Sequence, residues 1–183
     1  YEERKLFVQI GGKMVVELIC VGTELLLGNI VNTNAAYLSE KCALLGLSMY
    51  HQSVVGANAE RLQESLETAL NRSDVVILSG GTGHTHDDLT KETAAEVMDI
   101  PLKEDPHSRE RIEEYFKNSQ YTVITDNNWK QALVPEGAIV LDTENGTAPG
   151  RHLEQNGQSD ILLPGHPGQL LTLFEGKVYD YLN

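Results

Sequence analysis

Apolar and polar positions along this chain switch repeatedly between the rhythm of a strand and that of a helix. The run Val15–Val21 is short, largely apolar and closed by Gly22, which is the pattern of a buried strand. A helix is predicted from Thr33 to Leu45, because Ala35, Leu38, Cys42 and Leu45 fall on one face and Gly46 stands where a helix stops. Leu47–Val55 reads as a strand with imperfect alternation, and Asn58 as the cap of a helix that turns Leu62, Leu66, Ala69 and Leu70 to one side. Asp74–Ser79 is the strongest buried-strand signal, and glycines follow it at once. Further helices are predicted near 90–98, 107–118 and 127–133, strands at 138–142 and Asp160–Leu163, and a closing helix over Gly168–Leu182. This alternation predicts an α/β layered fold with a largely parallel sheet.

Length and composition narrow the class. At 183 residues the chain is one domain, long enough to bury roughly two-thirds of its unfolded surface. A hydrophobic content of 40% with 22% charged residues is that of a soluble globular chain. Lys and Arg number 14 against 27 Asp and Glu, a net charge of −13, which argues against a nucleic-acid or membrane-surface binder. A phosphorylated small molecule stays open, since backbone amides and a cation can hold it. Residues 1–13 carry three cations and two anions, so the remainder carries −14. They read as an added extension, with Gly11-Gly12 as a linker and LFVQI as an optional edge strand, and residues 14–183 as the domain. Cys20 and Cys42 lie in apolar stretches and read as buried free thiols. No apolar run approaches the ~18 residues of a membrane span, and no signal pattern opens the chain, so a cytoplasmic location is expected.

In open parallel sheets, ligands bind beyond the carboxyl ends of the strands. Three junctions there carry chemistry: Gly22-Thr23-Glu24, GGTGHTHDDLT at 80–90, and PGHPG at 164–168. In the second, Gly80, Gly81 and Gly83 let backbone approach an anion, while Thr82, Thr85 and Thr90 add hydroxyls. Asp87 and Asp88 would repel a bare phosphate but suit a divalent cation that bridges to it. The plainer reading is a tight glycine turn whose aspartates cap the next helix, and spacing alone does not choose between the two. Neither a Walker loop nor a GxGxxG fingerprint is present. In the third junction Gly165 and Gly168 could offer amides, or the segment is a structural loop. Glu24 is a candidate metal ligand or simply a loop acid. Asn34 is a candidate ligand contact or a helix-start residue.

At these residues the chain resembles a known family. VGTELLLGNIVNTNAAYLSE, GGTGHTHDDLTKET, NGTAPG at 145–150 and LLPGHPGQL look like the N-terminal domain of CinA, the competence/damage-inducible family, within the molybdopterin-binding superfamily of MoaB and MogA. The resemblance runs from Met14 to the end of the sequence. It implies a three-layer α/β/α sandwich with a mostly parallel sheet, in a homo-oligomer; family proteins commonly add a C-terminal amidase domain. It further implies metal-dependent hydrolysis of ADP-ribose or a related dinucleotide. Alternatively it implies molybdopterin binding with adenylyl transfer, or nucleotide binding without catalysis. Under that resemblance Asp88 is the first catalytic and metal-binding choice, with Asp87 and Glu24 assisting. Gly80, Gly81, Thr82, Gly83 and Thr85 then cradle phosphate, and Mg or Co is the expected cation.

The departures from the family pattern gather at the same place. Ala57 stands where VGDN places an acid, His84 and His86 replace the proline and lysine of GPTKDD, and His166 enters a PGPP-like segment. Loss of the acid weakens metal binding, and loss of the lysine removes a charge that would neutralise phosphate. His84, His86 and His166, if they converge with Asp88, would suit Zn or Ni better than Mg. Otherwise they are exposed loop residues or phosphate contacts.

Overall fold

The structure, a computed structural model, describes residues 14–120, 123–144 and 148–183. The expected extension at 1–13, with its linker and optional edge strand, lies outside the described residues, as does part of NGTAPG. The central sheet has six strands in the order β2-β1-β3-β8-β7-β6. Its parallel part comprises β1 (Val16–Val21), β2 (Gln52–Val55), β3 (Val75–Ser79) and β8 (Gln158–Leu163). Two antiparallel strands, β6 (Ile139–Leu141) and β7 (Gly150–Gln155), complete it.

Every residue of β1 and β3 is buried, Glu17 included, as largely apolar runs predict for strands covered on both faces. Val16, Leu18, Val75, Ile77, Ile161 and Leu163 face one way. They meet Leu38 and Cys42 of helix α2 (Thr33–Leu44) and Leu170, Leu173 and Phe174 of the C-terminal helix. Ile19, Val21, Val76, Leu78 and Leu162 face the other way, against Leu62 and Leu66 of α3 (Ala59–Leu70) and Ala94 of α4 (Thr90–Val97). Helices therefore cover both sides of the sheet, and the three-layer α/β/α expectation holds. Asn32 and Asn58 cap α2 and α3 through their side chains, as the sequence suggested for Asn58.

The second half departs from the sequence reading in several places. Leu47–Val55 pairs as a strand only from Gln52, apart from one bridge between Ser48 and Val15. Leu47 and Met49 instead fold over the edge of the core, partly buried. The helix expected at 127–133 is the single turn α6 (Asp126–Trp129), a 3₁₀ turn at Lys130–Ala132 and then β5 (Leu133–Pro135). β5 pairs with β4 (Leu102–Glu104) in a separate ribbon, and α5 (Pro106–Lys117) lies between the two. β7 was not expected, because GRHLEQ reads as polar, yet Arg151 and His152 are buried. The turn that joins β7 to β8 is Asn156-Gly157, both at positive φ, which is the favoured two-residue hairpin chemistry. The closing helix is α7 (Pro167–Leu173), a π turn at Phe174–Val178 and α8 (Tyr179–Leu182). A four-residue helix, α1 (Thr23–Leu26), opens the loop after β1.

Candidate functional site

The parallel strands end level with one another. Val21 is opposite Val55, Cys20 opposite Ser79, and Ser79 opposite Leu163. The chain goes from β1 outward to β2 and returns to β3 on the other side of β1, so the topology switches between β1 and β3. Open sheets of this kind bind ligands at such a switch point, beyond the ends of the strands. Gly80 and Gly81 follow the end of β3 there, at φ 94° and 64°. A Cβ at Gly80 would come within 2.3 Å of the Val21 carbonyl, and one at Gly81 within 2.3 Å of the Thr90 hydroxyl. Both positions therefore need glycine for conformation and for space.

The loop that follows is held by its carbonyls. Gly80 O accepts from the Thr90 hydroxyl at 2.8 Å, and Gly81 O from the Thr90 amide at 3.1 Å. Thr82 O accepts from the Gln131 side-chain amide at 2.8 Å, while Thr85 O accepts from Lys130 Nζ at 2.9 Å, and Asp88 O also accepts from Lys130 Nζ. A carbonyl and the next residue's N–H share one plane and point in opposite directions. The amides of Gly81, Thr82, Gly83, His86 and Leu89 are thereby turned away from those tethers. Among the described residues none of these amides has a hydrogen-bond partner. Unpaired amides on one short loop can accept an anion where they converge.

Asp88 is built into that loop. Its Oδ2 accepts from the Thr85 amide at 3.0 Å and from the Thr85 hydroxyl at 2.7 Å. A Cβ at Gly83 would meet the same oxygen at 2.6 Å, so Gly83 makes room for Asp88. Asp87 is exposed, with His86 Nε2 at 3.4 Å from Oδ1. Asn34 Nδ2 donates to Gly165 O at 2.8 Å and ties α2 to the loop after β8. A Cβ at Gly165 would lie 3.3 Å from the Gly80 Cα, so the second and third junctions touch. His166 stands at the start of α7, and its ring lies beside Gly168, where a Cβ would be 3.3 Å away. The Ala57 amide donates to the Thr23 hydroxyl at 3.2 Å, which closes the β2 side.

The histidines are not gathered. His84 and His86 line a cavity of about 750 Å³ against Ile112 and Tyr115 of α5, together with Asn128 and Gln131. His166 is not among that cavity's lining residues. Glu24 is exposed in the first turn of α1, with its carboxylate over Gly22. Among the described residues no group of three or more His, Cys, Asp or Glu side chains is arranged to hold a metal. The described side chains thus offer no ready-made chelate, and one Asp88 oxygen is already engaged by Thr85.

Four residues behind the loop were not singled out by the sequence reading. Lys91 Nζ donates to Lys130 O at 2.5 Å and lies 3.5 Å from Glu92. Burial first, and then the charge of Arg151, pushes the Lys91 ammonium down to about 7. Arg151 is wholly buried and donates to Gln131 Oε1 at 2.9 Å, and burial pushes it down to about 10. Lys130 and Gln131 then reach the loop itself. These residues are scattered between positions 91 and 151 of the sequence, without a motif. Only the burial of an arginine in a strand could have signalled them, and that is not visible in sequence.

A family model described as "Probable molybdopterin binding domain" matches residues 17–183. A competence-damage inducible protein of Thermoanaerobacter pseudethanolicus is 52% identical over 166 residues, covering 91% of this chain and 40% of that protein. The chain thus spans about 40% of the length of this curated relative. The crystal structure of CinA from Thermoplasma acidophilum, a protein of unknown function, superposes with a TM-score of 0.85 at 30% identity, covering 92% of this chain and 98% of that one. MoaB of Thermus thermophilus, a molybdopterin biosynthesis enzyme, superposes with a TM-score of 0.59 at 16% identity over 92% and 96% of the two chains, a likeness of fold. No helix among the described residues is long and apolar enough to cross a membrane.

Proposed function

The chain belongs to the probable molybdopterin binding domains, as a member of CinA type, and from that premise we propose that it binds a phosphorylated pterin or nucleotide by its phosphate in the cradle at 80–89. The observation that carries this reading is the set of amides at Gly81, Thr82, Gly83, His86 and Leu89 that have no partner among the described residues. Charge-assisted N–H···O⁻ bonds are about twice as strong as neutral ones, and no exposed lysine is needed to make them. The cavity beside the loop, walled by Tyr115 and Asn128, is of a size to take a small heteroaromatic ring. The family match and the structural neighbours support this binding reading better than hydrolysis of ADP-ribose.

The test is calorimetric titration with AMP and with a phosphorylated pterin, each set against its dephosphorylated form, with and without Mg²⁺. Saturable binding that requires the phosphate supports the reading. Equal binding of both forms, or of neither, overturns it. Release of AMP from ADP-ribose by the same preparation, abolished in Asp88→Ala, would restore hydrolysis as the better account.

A further inference from the structure

We propose that Lys130 and Gln131 are positioning residues that hold the loop at 82–88 in its anion-accepting form, an inference that rests on the binding reading above. The two are neighbours on one 3₁₀ turn, yet between them they fasten three loop carbonyls. Gln131 Nε2 takes Thr82 O, and Lys130 Nζ takes both Thr85 O and Asp88 O. Each tether turns the following amide, that of Gly83, His86 or Leu89, to the opposite side. Three of the cradle's donors are therefore set by two side chains that need touch no ligand.

The turn is itself braced. Gln131 is 3% exposed, and its orientation is fixed by chemistry. Arg151 has only donors, so Gln131 must present Oε1 to it and Nε2 to Thr82. Arg151 also donates to Gln131 O at 3.2 Å, and Lys91 Nζ to Lys130 O. Both backbone carbonyls of the strap are thus anchored to the sheet and to α4. Lys130 adds a positive charge behind the loop, 3.7 Å from Glu92. Gln131 also lines the cavity beside the loop, together with His84 and His86, so the same turn sets loop and cavity wall together.

The experiment uses Lys130→Met, Lys130→Arg and Gln131→Leu in the whole chain. AMP affinity is read by calorimetry, and backbone order at Gly83 and His86 by ¹⁵N relaxation without ligand. Wild-type order parameters at both amides should be near the rigid value of about 0.85 and fall toward about 0.6 in Lys130→Met, with Ile77 and Leu78 unchanged. AMP affinity should drop on the order of tenfold in Lys130→Met and Gln131→Leu through lost preorganisation, and return to within about threefold of wild type in Lys130→Arg. Unchanged affinity in Lys130→Met overturns the proposal, as does a loss that Arg does not restore. If the wild type binds no AMP, the nucleotide reading falls on its own account. The strap is then judged by relaxation alone, and unchanged order in Lys130→Met overturns it.

Discussion

Replacing Asp160 by Asn should stabilise the protein at neutral pH and remove much of its pH dependence. Asp160 sits in the middle of β8, in register with Val76 of β3 and Leu153 of β7. Its side chain is wholly buried, and among the described residues neither carboxyl oxygen has a hydrogen-bond partner. Burial pushes its pKa from 3.8 up to about 8. Around pH 7 the acid is protonated in the folded chain and ionised in the unfolded one. Folding must therefore take up a proton, at a cost of about 1.4 kcal/mol per pH unit above the unfolded pKa. At pH 7 this is roughly 4 kcal/mol, a large share of the ~5–15 kcal/mol by which domains are stable.

The sign is that of a group whose folded pKa is raised. Its relative stabilisation is complete below about pH 4 and is lost progressively as pH rises to about 8. Asn has nearly the same shape and stays neutral throughout. It leaves a polar group buried as well, so its own desolvation enters as an offset that does not vary with pH. Urea unfolding of both proteins from about pH 4 to about pH 8 should show Asp160→Asn gaining on the wild type by about 1.4 kcal/mol per unit, then levelling. Parallel curves would refute the reasoning. A wild type that gains on the variant as pH rises would refute it more strongly, since that is the mark of an ionised and partnered carboxylate.

Two further perturbations test the region behind and within the loop. Lys91 is shifted the other way, from 10.5 down to about 7, so wild-type stability should rise from about pH 7 toward pH 10, by at most roughly 5 kcal/mol, and Lys91→Met should flatten that limb in the same unfolding series. In Gly83→Ala the new methyl meets Asp88 Oδ2 at 2.6 Å and displaces the carboxylate from Thr85. Calorimetry should show AMP binding lost while the melting temperature falls by only a few degrees, about 1–2 kcal/mol for local strain; undiminished binding would show that the Asp88 cap does not shape the cradle.

What could be read from sequence divides along a physical line. The buried parallel strands β1 and β3 and the amphipathic helices α2 and α3 announce themselves through local periodicity, and the structure keeps all four. The glycine loop was legible because Gly80 and Gly81 are demanded by backbone conformation, which sequence expresses directly. β7 was not, because Gln131 covers Arg151 and Tyr181 packs on His152, while the two residues themselves look like surface. The signal that was overlooked is Asn156-Gly157, which marks the hairpin joining β7 to β8. The histidines show the converse limit. His84 and His86 are close in sequence to Asp88, yet their side chains line the α5 cavity, since adjacency along a loop says little about direction.

The charge balance illustrates why the rest stayed hidden. A net charge of −13 suggested that phosphate would have to be met by a metal, because free cations are scarce. The cations are present but are placed behind the loop, where Lys130 lies 3.7 Å from Glu92 and Arg151 is buried against Gln131, with Lys91, pushed down to about 7, beside them. A surface lysine would act through water and lose most of its effect to screening. A lysine that donates to a loop carbonyl polarises that peptide and strengthens the N–H on its far side, in surroundings of lower dielectric. An acidic surface with a cationic interior behind its amides is thus compatible with phosphate binding. Net charge, which sums over the whole chain, is blind to the difference.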